Sequence, residues 1–282
     1  LGALLDAGDE ILMADPGYPC NRHFASFIDA RPVAIPVGPD TAFQLTAQLV
    51  ERHWTENTKA VLLASPSNPT GTLARDEEIR GIAAWCAKRG ATLIVDEIYH
   101  GLVYEAPPQT ALAQAEEIVV INSFSKYFHM TGWRLGWLAA PAGLLGGIER
   151  LAQNLFLAPP TPAQFAALAA FSEETTAILE ARRQELKARR DFLLPALREL
   201  GFGLSVAPQG AFYLYADVSR FSGDSFVFAE RLLEQAGVAI TPGVDFGAVA
   251  PQRHVRFAYT RPLPVLQEAV ARIRRFLAER RA

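Results

Sequence analysis

The stretch AVLLASPSNPTGTLARDEEIRGIAAWCAKRGATLIVD, residues 60–96, decides the fold class. It opens on a short apolar run, 60–64, turns through Ser, Asn, Pro and Gly, and continues as a helical pattern over 75–88. Asp76, Glu77 and Glu78 sit in the first turn of that pattern, where negative charge suits the helix dipole. A second apolar run, 92–95, follows. Strand, helix and strand at this spacing make the unit of a parallel sheet.

The unit repeats on either side. Runs at 10–13, 31–37, 118–121 and 135–139 read as further strands, and 41–53 reads as another helix. The first half is therefore expected to be an α/β layer with a mostly parallel sheet covered by helices. After Pro159, Pro160 and Pro162 the pattern changes. One long helix is expected over 163–200, ended by Gly201 and Gly203 and joining two domains. Strands at 204–206, 211–216 and 254–259 and helices at 225–236 and 263–278 make a smaller C-terminal α+β unit. The expected division is a large domain over 1–185 and a small one over 186–282.

The 282 residues are half hydrophobic and 20% charged, with a net charge of −3, which excludes a disordered or collagenous chain. The balance indicates no nucleic-acid footprint. The basic tail (Arg272, Arg274, Arg275, Arg280, Arg281) reads as the solvated face of a terminal helix. Cys20 and Cys86 make neither a zinc set nor a disulfide framework, and a reducing cytoplasm is expected. No apolar run has membrane-spanning length. Residues 1–5 read as the end of a helix and Gly8 as its C-terminal punctuation, so the chain is expected to begin inside a longer protein.

Four segments carry chemistry: SPSNPTG (65–71), IVDEIYHG (94–101), SFSKYFHMTGWRLG (123–136) and HVRFAYT (254–260). The first three follow expected strands, and open parallel sheets bind ligands at the carboxyl ends of their strands. Lys126 alone would read as a surface charge. Beside the hydroxyls of Ser123 and Ser125 and the guanidinium of Arg134 it suggests phosphate binding or Schiff-base chemistry. Asp96 reads as a helix or turn cap, or as a buried acid paired with a cationic nitrogen. Glu97 points the other way if the alternation persists, and Tyr99 shares the side of Asp96 only approximately. Asn68 reads as a turn former or as an amide reaching a ring oxygen. Arg256, flanked by apolar residues, needs a carboxylate partner, either a ligand or a structural acid.

Taken together these segments resemble the fold-type I, class I/II aminotransferases that use pyridoxal 5′-phosphate. SNPTG, DEIY, SFSK with GWRLG, and a late arginine occur in that order across nearly the whole chain. The resemblance implies Lys126 as the cofactor-bearing amine and Asp96 as partner of the pyridine nitrogen. It implies Tyr99 and Asn68 at the phenolic oxygen, Ser123, Ser125 and Arg134 at the phosphate, and Tyr18 of PGYP stacked on the ring. Arg256 would take the substrate α-carboxylate, with Asn68 beside it. The implied reaction moves an amino group from an amino acid to a 2-oxo acid through aldimine, quinonoid and ketimine intermediates, Lys126 carrying the proton. Carbon–sulfur lyases of this fold share the same residues, whereas the related pyridoxal-phosphate-binding transcription regulators often depart at the Asn68 position, so that the intact SNPTG and Arg256 lean against that alternative.

The family also implies a homodimer with composite sites, in which Thr161 is a candidate to face the partner's cofactor. It implies a glycine-rich phosphate turn and an arm preceding Leu1. No second arginine is placed to bind a distal carboxylate, Arg150 being a distant candidate. The surroundings of Tyr18 and Phe212 suggest neutral or aromatic substrate side chains.

Overall fold

A computed structural model describes residues 1–105 and 109–279. The first sheet has six strands: β1 (Glu10–Asp15), β2 (Arg31–Pro36), β3 (Thr58–Ala64), β4 (Thr92–Asp96), β5 (Val119–Ser123) and β6 (Gly136–Ala139). Their order is β2-β1-β3-β4-β5-β6. All neighbours pair in parallel except β5 and β6, which are antiparallel.

Both faces of the sheet are covered, as a parallel sheet requires. Alternate residues of each strand therefore enter different cores. Leu12, Val61, Leu63, Leu93 and Val95 pack with Val50, Ile79, Ile82 and Cys86. The last four come from α2 (Ala47–His53) and α3 (Asp76–Ala87). Ile11, Met13, Ala60, Leu62, Ile94 and Val119 pack on the opposite face with Leu5 and Ala25, the latter from α1 (Pro19–Phe27).

Beyond β6 come α4 (Ala142–Leu155), α5 (Thr161–Ala169) and α6 (Glu173–Leu200). A second sheet has the order β7-β9-β8, with β7 (Tyr213–Asp217), β8 (Thr241–Pro242) and β9 (His254–Ala258) antiparallel. It packs with α6, α7 (Ser225–Ala236) and α8 (Leu263–Glu279) around Leu197, Leu214, Phe228, Val255 and Ile273. The α6 helix runs unbroken through residue 185.

Several expectations need correction. The pattern over 41–53 is helical only from Ala47. Ala42 and Phe43 adopt positive φ, burying Phe43 and Leu45, and Thr46 caps the helix by accepting from Leu49 N–H at 3.2 Å. The expected single helix over 163–200 is two, because the Ser172 hydroxyl accepts from Thr175 N–H and starts a new one. Helices α1 and α4 are additions to the expected elements. Residues 204–206 form no strand, although Gly203 bridges Asp217. Ala211 has φ 56°, which delays β7 to Tyr213. Residues 1–5 form a turn in which Leu5 N–H reaches Leu1 O at 3.1 Å, not a helix end. Gly8 does hold φ 89°. In the tail, Arg272 pairs with Glu268 within α8 at 2.9 Å, while Arg280 and Arg281 lie outside the described residues.

Candidate active site

The turns after β3, β4 and β5 meet at one edge of the sheet, where the second sheet closes over them. Between the two lies a cavity of about 440 Å³. Its walls include Tyr18, Asn68, Asp96, Tyr99, Ser123, Ser125, Lys126, Arg134 and Arg256. Every residue singled out by motif thus faces one space, though they span 238 positions of sequence from Tyr18 to Arg256. Arg150 lies on α4 and Thr161 at the start of α5; neither lines this cavity.

Lys126 follows the Ser123 end of β5. Its Nζ lies 5.7 Å from the centroid of the Tyr99 ring and 6.0 Å from that of Phe212. Burial lowers its pKa, and Arg256 and Arg134 add to that effect against the pull of Asp96. An amine held toward its neutral form is a nucleophile.

Asp96 ends β4 with its carboxyl in the cavity. Burial pushes it up to about 6, opposed by the N–H of Ile98, which donates to Oδ1 at 3.0 Å. Among the described residues it has no ion-pair partner within 4 Å. A buried acid of this kind suits a cationic nitrogen brought by a ligand. The neighbouring Glu97 does point the other way. It accepts from Thr110 Oγ1 and from Ala111 N–H and secures the segment that precedes β5.

Ser123 and Arg134 stand where an anion would sit. Ser125 N–H donates to Ser123 Oγ at 3.0 Å, and Arg134 Nη1 donates to Thr131 O at 2.9 Å. Arg134 takes the left-handed conformation, φ 53°, unusual for a side chain of its size. Its guanidinium meets no carboxylate among the described residues. The hydroxyls and this unpaired charge fit a phosphate. Tyr18, 43% exposed, stands at the mouth. A hydrogen bond with Cys20, together with burial, pushes its hydroxyl up to about 12.

Arg256 projects from β9. Its Nη1 donates to Asn68 Oδ1 at 2.7 Å. Its guanidinium lies 4.2 Å from the Tyr213 ring centroid and 4.7 Å from that of Phe246. Nε is buried with no protein partner, and Nη2 reaches only Thr241 Oγ1 at 3.4 Å. Buried donors seldom go unpaired. Here they leave hydrogen-bonding capacity for a carboxylate.

Sequence reasoning passed over Tyr213, Asp245, Phe246 and Thr131, which also line the cavity. Tyr213 and Phe246 are aromatic residues in an apolar context and signal nothing locally. Only folding sets them against Arg256.

A model of the aminotransferase class I and II family matches residues 1–273. This chain belongs to that family. The aminotransferase is 44% identical to the valine–pyruvate aminotransferase of Mycobacterium tuberculosis, over 96% of this chain and 70% of that protein. It is 35% identical to the (5-formylfuran-3-yl)methyl phosphate transaminase of Methanocaldococcus jannaschii, over 98% of this chain and 71% of the relative. The crystal structure of an aminotransferase from Mycobacterium tuberculosis superposes with TM-score 0.94 at 44% identity, covering 99% of this chain and 72% of that one. The aminotransferase is thus a pyridoxal-phosphate-dependent enzyme that moves amino groups between amino acids and 2-oxo acids. None of its described helices is long and apolar enough to cross a membrane.

Proposed function

We propose that the cavity between the sheets is the active site of this aminotransferase, with Lys126 as its central base and neutral amino acids as its donors. One observation carries this reading: a partly buried amine, an unpaired carboxyl and two guanidiniums without acidic partners line the same cavity. Each unpaired group has a counterpart in the cofactor or the substrate. Lys126 would hold pyridoxal phosphate, Asp96 its ring nitrogen, Tyr99 and Asn68 its phenolic oxygen, and Ser123, Ser125 and Arg134 its phosphate, with Tyr18 against the ring. When bound, the cofactor supplies an electron sink for the carbanion that forms at the substrate α-carbon.

The chain's own residues do the rest. Arg256, with Asn68 beside it, binds the α-carboxylate and turns the α-hydrogen toward Lys126. Lys126 Nζ, free once the substrate's amine has taken its place, would remove that proton and hold it for return. Burial, with Arg256 and Arg134 nearby, lowers its pKa and so favours the neutral amine that can accept a proton. Asp96 holds a proton-bearing nitrogen in its charged form, which is what makes the sink effective. Tyr99, buried and kept protonated by that burial, donates a hydrogen bond into the cavity.

Ile98, Tyr18 and Phe246 give the cavity an apolar part, and among the described residues it is lined by no arginine besides Arg134 and Arg256, which the phosphate and the α-carboxylate would occupy. That favours apolar substrates, and valine with pyruvate, named for the Mycobacterium relative, is the first pair to try. A donor panel assayed with pyruvate and with 2-oxoglutarate tests this. Valine or another apolar donor should lead. A clear preference for aspartate or glutamate would overturn the substrate assignment, and release of pyruvate with ammonia would mean a lyase instead. Lys126→Ala must lose both turnover and the cofactor's visible absorbance, or the site assignment fails.

We further propose a large unit over 1–185 and a small one over 186–282, with α6 forming a wall common to both. A homodimer is proposed too: Leu155, Phe156, Leu157, Phe165 and Leu168 form an exposed apolar surface on α4, α5 and their connection. The two cysteines, both free, suit a cytoplasmic location.

A further inference from the structure

Tyr213 plays no part in the reading above, yet it touches two residues that do. Its hydroxyl lies 3.0 Å from the Tyr99 hydroxyl, the two rings meeting edge-on at 5.8 Å and 81°. Both side chains are largely buried, at 6% and 4% exposure, and both line the cavity. The face of the same Tyr213 ring carries the Arg256 guanidinium at 4.2 Å. Tyr213 is residue one of β7, and its register partner on β9 is Ala258, two residues from Arg256. The sheet pairing therefore holds the ring against the guanidinium.

Two phenols 3.0 Å apart share one proton between them, and the second proton needs another acceptor. The titratable and charged groups facing the pair are Asp96, Lys126, Arg256 and, on the Tyr213 side, Tyr18. An electron-rich oxygen presented to Tyr99 from the cavity draws the proton of Tyr99 outward. Tyr99 then accepts from Tyr213. Hydrogen bonds in such a chain polarise one another, so the inner donor strengthens the outer one.

We propose that Tyr213 is a positioning residue acting at two points: its hydroxyl donates to Tyr99 and strengthens the hydrogen bond that Tyr99 makes to the cofactor, and its ring aligns Arg256 for the substrate carboxylate. This rests on the placement of Tyr99 at the cofactor's phenolic oxygen.

The two roles separate by substitution. Tyr213→Phe removes only the hydroxyl. In the cofactor-loaded protein, the pH midpoint at which the visible band changes should rise by about half to one unit, a typical hydrogen-bond contribution expressed on a pKa scale. Tyr213→Leu removes the ring as well and should in addition raise KM for the amino donor about tenfold, the order of a lost cation–π contact. Tyr99→Phe should raise the midpoint further than Tyr213→Phe does, and adding Tyr213→Phe to it should change nothing more. An unshifted midpoint in Tyr213→Phe, or the same increment in the Tyr99→Phe background, overturns the proposal and leaves the placement of Tyr99 standing. An unshifted midpoint in Tyr99→Phe overturns both.

Discussion

Arg256 and Asn68 are 188 residues apart in sequence, and the Nη1 of one donates to the Oδ1 of the other at 2.7 Å. This bond ties β9 of the small sheet to the turn after β3 of the large one. It also removes a choice. With Nη1 committed to Asn68, the buried Nε and the weakly held Nη2 form the edge left for a ligand.

Arg256→Gln should therefore lower kcat/KM for amino acids by about 10²–10³-fold, the range expected when one partner of a buried charge-assisted pair is removed. The cofactor's absorbance should persist, because Arg256 is assigned to the substrate. Steady-state kinetics alongside an absorbance spectrum checks both points, and loss of the cofactor band would place Arg256 elsewhere.

Asp96 links the site to stability. Burial raises its pKa from 3.8 to about 6 in the cofactor-free chain. The folded state then holds the proton more tightly than the unfolded one, so Asp96 costs stability as pH rises from about 4 to about 6, and fully above that. Asp96→Asn should raise Tm of the cofactor-free protein at pH 8, by an amount corresponding to roughly 2–3 kcal/mol. That gain should shrink toward zero as pH falls to 4. The same variant should bind cofactor poorly. Thermal melts at the two pH values decide it: an equal effect at both would mean that the charge is not the cause.

Asp15 at the end of β1 accepts from Ala248 N–H at 2.8 Å and from Val249 N–H at 3.3 Å. Gly17 N–H donates to Phe246 O at 2.9 Å, and Arg22 Nη2 to Asp245 O at 3.1 Å. These contacts clamp the loop that lays Phe246 against Arg256. Asp15→Ala leaves two backbone donors unpaired and should cost about 1–3 kcal/mol. It should raise KM for the donor several-fold with less effect on kcat. An unchanged KM would show that the loop needs no clamp.

Two glycines with positive φ separate strain from crowding. At Gly71, φ 69°, an added Cβ would lie 2.6 Å from Pro208 Cβ and 2.7 Å from Gly210 O. At Gly90, φ 65°, it would meet nothing within 4 Å. Gly90→Ala should cost about 1 kcal/mol from backbone strain alone. Gly71→Ala should cost at least about 2 kcal/mol more and disturb the turn that carries Asn68. Denaturant melts of the pair test the difference, and equal losses would refute the crowding argument.

The α/β class, the strand-end positions of Asn68, Asp96 and Lys126, and the family are all legible in local stretches of the chain. Period-2 alternation, cap residues and polar motifs are local signals, and each acts within a few residues of where it is written. Hydrophobic periodicity does not register the helix starts inside 41–53 and 163–200, because Thr46 and Ser172 set them by capping. That Asn68 holds Arg256, that Asp15 clamps the Phe246 loop, and that Tyr213 joins Tyr99 to Arg256 emerges only from the folded arrangement. The Tyr99–Tyr213, Asn68–Arg256 and Asp15–Ala248 contacts pair residues more than 100 positions apart, the last more than 200. Nothing in a tyrosine among apolar neighbours announces such a partner. It comes from two sheets closing on one cavity, where donors and charges withdrawn from bulk water meet partners distant in sequence.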